Sequence, residues 1–306
     1  MKKTAVSLVL SSGGARGMAH IGVIEELERH NFEIKSISGC SMGALIGGVY
    51  AAGYLKEFKN WLDKLDKLDV FNLMDFTISS HGFIKGVKVF NEINQFIGNV
   101  LIEDLPIPFT AVATDVDNQK EVVFIKGKLR DAIRASVSIP SVLEPFDWNG
   151  VSLIDGGILN PIPIDRVQRT EGDILVAVDL NAIVNSPPQI AKQKKTAREQ
   201  KKEQNSILKR IEFREKWEHF FPKDKLQKEK LGHLSLLDRS FDMMQNKISQ
   251  HTIQKCRPEI LVSISKTACS TFDFYRAGEM IELGKQTFNE ALKKYDKEVI
   301  DYYKNS

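Results

Sequence analysis

Short apolar or β-branched runs alternate along the chain with longer segments whose apolar positions recur at helical spacing. Residues 5–10, 35–38, 109–114, 122–125, 151–154, 174–178 and 260–264 are such runs, bounded by glycine, proline or acidic residues, and they predict strands. Several are apolar at successive positions, as in strands covered on both faces. Between them, residues 18–29 set Ile21, Ile24 and Leu27 on one helical face, and Phe58, Trp61, Leu62, Leu65 and Leu68 read as one further helix. Helical patterns return at 236–254 and 273–294. Strand–helix alternation of this kind predicts a three-layer α/β/α domain with a mostly parallel central sheet, taken here as one domain over residues 1–306.

Composition narrows the picture. The chain is 42% hydrophobic and 27% charged, enough to bury a core. Its three cysteines, Cys40, Cys256 and Cys269, are widely spaced and form no zinc pattern, so no metal is expected and a reducing, cytoplasmic setting fits. No run approaches the length of a membrane span; the longest apolar stretch, 42–55, is studded with glycine. Met1-Lys2-Lys3 before a short apolar run resembles a signal peptide, but the glycine loop directly behind it would be lost on cleavage. The run is therefore expected to be the first strand.

Three motifs carry candidate chemistry. Gly39-Cys40-Ser41-Met42-Gly43 is a G-x-S-x-G between a predicted strand and a predicted helix. There a serine is raised on a tight turn, with Gly39 and Gly43 removing side chains that would collide, and the helix N-terminus behind it offers free N–H groups to an oxyanion. Gly13-Gly14-Ala15-Arg16-Gly17 also joins a strand to a helix, and consecutive glycines let backbone N–H groups line a concavity for an anion. It lacks G-x-G-x-x-G and phosphate-loop spacing, which favours an oxyanion over a nucleotide. Asp155-Gly156-Gly157 places an acid at a strand end, as a proton acceptor for Ser41 or as a turn aspartate; Asp115, Asp117 and Asp179 are rivals. A late histidine, His219, His233 or His251, would suit a Ser-His-Asp order without a supporting motif; these three and His20, His30 and His81 read as structural or solvent-facing ahead of catalytic, with His20, one turn beyond the glycine loop, keeping direct catalysis as its lesser alternative. Cys40 reads as a small buried residue. The stretch 137–146 is read either as a wall of an acyl groove or as loop packing.

Taken in this order, with Ala19-His20-Ile21-Gly22 after the first loop, Ile133-Arg134-Ala135-Ser136-Val137-Ser138-Ile139-Pro140, and Ile158-Leu159-Asn160-Pro161-Ile162-Pro163 after the acid, the motifs resemble the patatin-like phospholipases, above all bacterial members and the catalytic domain of neuropathy target esterase. The resemblance runs from residue 5 to about 180, with a weaker echo over 236–284. It implies a serine esterase acting on phospholipid, lysophospholipid or other acyl esters, with Ser41 as nucleophile, Asp155 as base and the backbone of Gly13, Gly14, Ala15, Arg16 and Gly17 as oxyanion hole. No cofactor is implied. The competing reading is a docking protein of the same fold with little or no turnover.

Charge sets one segment apart. Residues 190–230 hold 14 Lys/Arg against 7 Asp/Glu, a net of +7, so the rest of the chain carries −4 of the overall +3. A basic helical insertion is expected at about 185–235. With Ile207, Leu208, Ile211, Trp217, Phe220 and Phe221 among its lysines it suits an interfacial helix on anionic lipid, hence peripheral membrane contact. Its interspersed glutamates favour a solvated helix instead, and nucleic acid, with no reader fold, ranks last.

Overall fold

The structure, a computed structural model, describes residues 3–73, 75, 82–84, 86–184 and 233–305. The basic stretch 190–230 lies outside the described residues, as do His81 and His219. The strands are β1 (Thr4–Leu10), β2 (Phe32–Cys40), β3 (Gly82–Ile84), β4 (Phe109–Asp115), β5 (Lys120–Phe124), β6 (Ser141–Leu143), β7 (Phe146–Trp148), β8 (Val151–Asp155), β9 (Ile174–Ala182) and β10 (Ile260–Ser265). The helices are α1 (Ala19–Arg29), α2 (Met42–Ala51), α3 (Leu55–Leu62), α4 (Lys67–Leu73), α5 (Val87–Ile97), α6 (Leu129–Ser136), α7 (His233–Cys256) and α8 (Ala277–Asn305).

Eight strands form the main sheet in the order β10-β9-β1-β2-β4-β8-β7, with β5 also on β4. The half from β10 to β4 is parallel, and β5, β8 and β7 join it antiparallel. The first apolar run is thus a central strand, paired on one edge with β2 and on the other with β9. Its alternation sorts two cores. Val6, Leu8 and Leu10, with Val176 and Val178 of β9, face the larger core with α1 and α8; Val9, Leu175 and Ala177 face a smaller one closed by Ile253 and Cys256 of α7. A sheet between two helical layers follows from strands apolar on both faces.

The single helix expected through Phe58 and Leu68 is two helices, α3 and α4. Asp66 starts the second: its Oδ1 accepts the N–H groups of Leu68 and Asp69, each at 2.9 Å, while its own N–H donates to Asp69 Oδ2 at 3.0 Å. This reciprocal cap ends one helix and begins the next.

The antiparallel half brings distant residues together. Along residues 111–115, one edge of β4 is taken by β5. Its other edge pairs with β2 through residues 109–112 and, where β2 ends at Cys40, with β8 through residues 113–115. Cys40 and Asp155 are therefore partners of the consecutive residues Val112 and Ala113, and the acid arrives end-on to the strand that delivers Ser41.

Candidate active site

Ser41 caps the N-terminus of α2 with φ 54° and ψ −121°, a region that L-residues seldom occupy. Such strain persists only where neighbours enforce it. Here the Ser41 N–H donates to Ser136 Oγ at 2.8 Å, and Ser136, at the end of α6, donates onward to the Val112 carbonyl at 2.7 Å. The Ser41 carbonyl accepts from Leu45 N–H at 3.0 Å, which begins the helix and leaves the N–H groups of Met42, Gly43 and Ala44 without an intrahelical acceptor. Their partial positive charge surrounds the serine. The turn closes only because position 43 lacks a side chain: a Cβ there would stand 2.1 Å from the Leu10 carbonyl oxygen.

Asp155 lies in the same pocket of buried polar groups, 3% exposed. Its Oδ1 accepts the Gly157 N–H at 2.7 Å and the Cys40 thiol at 3.9 Å. Its own backbone is held on two sides, the N–H by the Ser138 carbonyl at 2.9 Å and the carbonyl by the Thr114 hydroxyl at 3.1 Å. Burial raises its pKa from 3.8 to about 6, against the lowering effect of Ser41, Gly157 and Cys40 as hydrogen-bonding neighbours. Ser41 thus stands close enough to ease ionisation, yet Oδ2 has no partner of good hydrogen-bond geometry among the described residues. Cys40 is fully buried, and burial followed by the adjacent Asp155 pushes its thiol well above the usual range. It is a neutral donor to the carboxylate.

The glycine loop is a 3-10 turn over Gly14–Met18. Gly14 has φ +55°, and a Cβ there would stand 2.6 Å from Thr271 Cγ2. The loop abuts the residue after Ser41, since a Cβ on Gly17 would lie 2.4 Å from Met42 Cβ. Its five N–H groups are not equivalent. Ala15 N–H donates to the Thr271 carbonyl at 2.8 Å, and those of Arg16 and Gly17 lie inside a turn whose amides bond back three residues. Gly13 and Gly14 N–H are left without a protein partner among the described residues. Arg16 is buried: its guanidinium donates to the carbonyls of Lys266 at 3.0 Å and Cys269 at 3.3 Å and to Asn181 Oδ1 at 3.3 Å. Burial lowers its pKa.

The rival groups sit elsewhere. Asp115 binds Asn118 through its N–H at 3.0 Å and side chain at 2.8 Å, which holds its pKa low; Asp117 is exposed; Asp179 accepts the Asn181 N–H at 2.9 Å. His251 is exposed on α7, and His30 is exposed, 2.8 Å from Asn289 Oδ1. His20 is fully buried in α1; its Nε2 donates to the Ser11 carbonyl at 2.9 Å, and burial lowers its pKa to about 4. It pins the strand end that leads into the glycine loop. Among the described residues no helix is long and apolar enough to cross a membrane.

Sequence reasoning quoted Ser136 and Ser138 without giving either a task. A signal was present: Leu129, Ala132, Ile133 and Ser136 recur along one buried helical face, and a hydroxyl on such a stripe needs a partner. Residues 266–271 and α7 also reach the site. Gln245 donates to the Gly157 carbonyl at 3.0 Å and Asn246 to the Asn181 carbonyl at 2.7 Å. Arg134 ties the stretch after α6, donating to the Glu144 carbonyl at 3.0 Å and lying 5.2 Å from the centre of the Phe90 ring.

Comparison with known proteins identifies the family. The family model described as patatin-like phospholipase matches residues 8–167. An uncharacterized NTE family protein of Mycobacterium tuberculosis is 33% identical over 95% of this chain and 92% of its own length. The lysophospholipase NTE1 of Candida albicans is 31% identical over 61% of this chain, which corresponds to 14% of that much longer protein. Among solved structures, VipD from Legionella pneumophila superposes with a TM-score of 0.43 at 12% identity, over 96% of this chain and 67% of that one. By its matched motif region and its end-to-end relatives, the chain belongs to the patatin-like phospholipase family.

Proposed function

We propose that the chain is a serine esterase that hydrolyses carboxylic esters of phospholipids or lysophospholipids through a Ser41–Asp155 dyad. The observation that carries this reading is the strained Ser41 at a helix N-terminus beside a buried carboxyl whose pKa is raised to about 6. Such a carboxyl is ionised at neutral pH yet more basic than an exposed aspartate, as a general base requires. Asp155 takes the Ser41 proton as Oγ attacks the ester carbonyl. The oxyanion is met by the N–H groups of Gly13 and Gly14 and by the α2 N-terminus, and water then releases the acyl-enzyme. The lipid class rests on the family and on the lysophospholipase name carried by relatives such as that of Candida albicans.

A fluorophosphonate probe tests the reading. Wild type should label and Ser41→Ala should not; equal labelling of both removes Ser41 from the role. Hydrolysis of a phospholipid and lysophospholipid panel, with Ser41→Ala as blank, fixes the substrate. Contact of residues 190–230 with anionic lipid is a separate element of the proposal, tested by liposome flotation; equal recovery with and without vesicles would leave a solvated segment.

A further inference from the structure

Two polar side-chain atoms beside the dyad have no hydrogen-bond partner among the described residues although both are shielded from bulk water: Asp155 Oδ2 and Ser12 Oγ. Asp155 is 3% exposed and Ser12 4%. The Ser12 hydroxyl and the Asp155 carboxyl approach one spot beside Gly157, the carboxyl through Oδ1, which also accepts the Gly157 N–H at 2.7 Å. A Cβ on Gly157 would lie 2.9 Å from Asp155 Oδ1, 3.2 Å from Ser12 Oγ and 2.5 Å from Gln245 Nε2, so only a residue without a side chain lets these three groups approach one another. The backbone of Ser12 is already in use, its N–H donating to the Pro161 carbonyl at 2.8 Å and its carbonyl accepting from Asn181 Nδ2 at 3.0 Å. The hydroxyl is the part of Ser12 that the fold does not employ. A buried hydroxyl left unpaired is costly, and a small polar guest relieves that cost.

We propose that Ser12 is a further catalytic residue, whose hydroxyl and the Asp155 carboxylate together hold the water that cleaves the acyl-enzyme. The inference rests on the esterase reading above. One hydrogen of the water points to Asp155 Oδ2 and the other to Ser12 Oγ, which leaves a lone pair for the acyl carbon. The new carbon–oxygen bond forms as the first proton passes to Asp155. Collapse of the tetrahedral intermediate breaks the bond between the acyl carbon and Ser41 Oγ, and Asp155 returns its proton to that oxygen. The carboxylic acid departs and both residues are restored. Ser12 therefore acts in the second half of the reaction alone.

Ser12→Ala and Ser12→Gly, both smaller than serine and both retaining its backbone bonds, separate the two halves. Fluorophosphonate labelling of Ser41 needs no water, and both variants should label at the wild-type rate. With an activated p-nitrophenyl ester they should keep a full burst while the steady-state rate falls about tenfold, the scale of a lost positioning contact. A purely structural role would slow labelling and turnover together. That outcome, or an unchanged steady-state rate in both variants, overturns the proposal. Failure of the esterase reading has its own signature, equal labelling of wild type and Ser41→Ala, whatever Ser12 does.

Discussion

The Ser136 hydroxyl accepts the backbone N–H of Ser41 at 2.8 Å and donates to the Val112 carbonyl at 2.7 Å, so a single side chain ties the strained turn to the strand beneath it. Ser136→Ala leaves both groups buried and unpaired. The variant should lose about 1–3 kcal/mol of stability and turnover should fall by roughly 10- to 100-fold as Ser41 Oγ drifts from its line of attack. Thermal denaturation alongside steady-state kinetics checks both; wild-type turnover would mean that the turn holds itself.

Asp155 and His20 oppose each other as pH changes. Asp155 keeps its proton in the fold up to about 6 but releases it near 3.8 when unfolded, so its contribution is greatest below 3.8 and is lost as pH rises through 6. The magnitude is on the order of 3 kcal/mol. His20 has a folded pKa of about 4 against 6.5 unfolded, so its contribution is present above 6.5 and lost as pH falls toward 4. Between pH 4 and 6 the two slopes largely offset. Asp155→Asn should abolish hydrolysis, raise stability at neutral pH and expose a steeper acid loss from His20. Denaturant melts across pH 4 to 7 test this, and a variant less stable than wild type at pH 7 would contradict it.

Activity itself should rise with pH through about 6 as Asp155 becomes ionised, and then level. The measurement is kcat/KM against pH with a substrate that does not ionise over the range. An inflection unmoved by replacing Cys40, which donates to the same carboxyl, with alanine would show that the thiol has no hold on it; its loss should shift the inflection upward.

Gly43→Ala should be among the most damaging small substitutions. The added Cβ meets a strand carbonyl at 2.1 Å, and backbone cannot swing aside as a side chain can. A cost of about 3 kcal/mol, the upper end for overpacking, is expected in thermal denaturation.

Arg16→Lys tests the anchor of the glycine loop. Lysine keeps the charge but loses the fork that reaches Lys266, Cys269 and Asn181 at once. Stability should fall on the order of 3 kcal/mol, with slower fluorophosphonate labelling as the loop loosens. Unchanged labelling would free the loop from this anchor.

Much of this architecture was legible in the sequence because its signals are local. All seven expected strands are present, and the strand–serine–helix turn follows from Gly39 to Gly43 alone. The strands β3, β6 and β7 were not legible, since three residues show no period. The split between α3 and α4 turned on one aspartate whose capping role the apolar spacing masked. Ser136, Cys40 and Gln245 act through partners 95, 115 and 88 residues away, distances over which sequence spacing carries no message. Among the five loop amides, that of Ala15 is taken by the Thr271 carbonyl, beyond the reach of any local motif.

The shared edge of β4 also orders events in time. The turn that presents Ser41 is assembled from β2 and α2, neighbours along the chain, whereas Asp155 reaches it only when three residue pairs of an antiparallel ladder close on the far portion of the same edge. Contacts between residues so distant in sequence form slowly. During refolding, helical signal should therefore return ahead of hydrolysis, and the reappearance of turnover becomes a clock for the docking of a single strand.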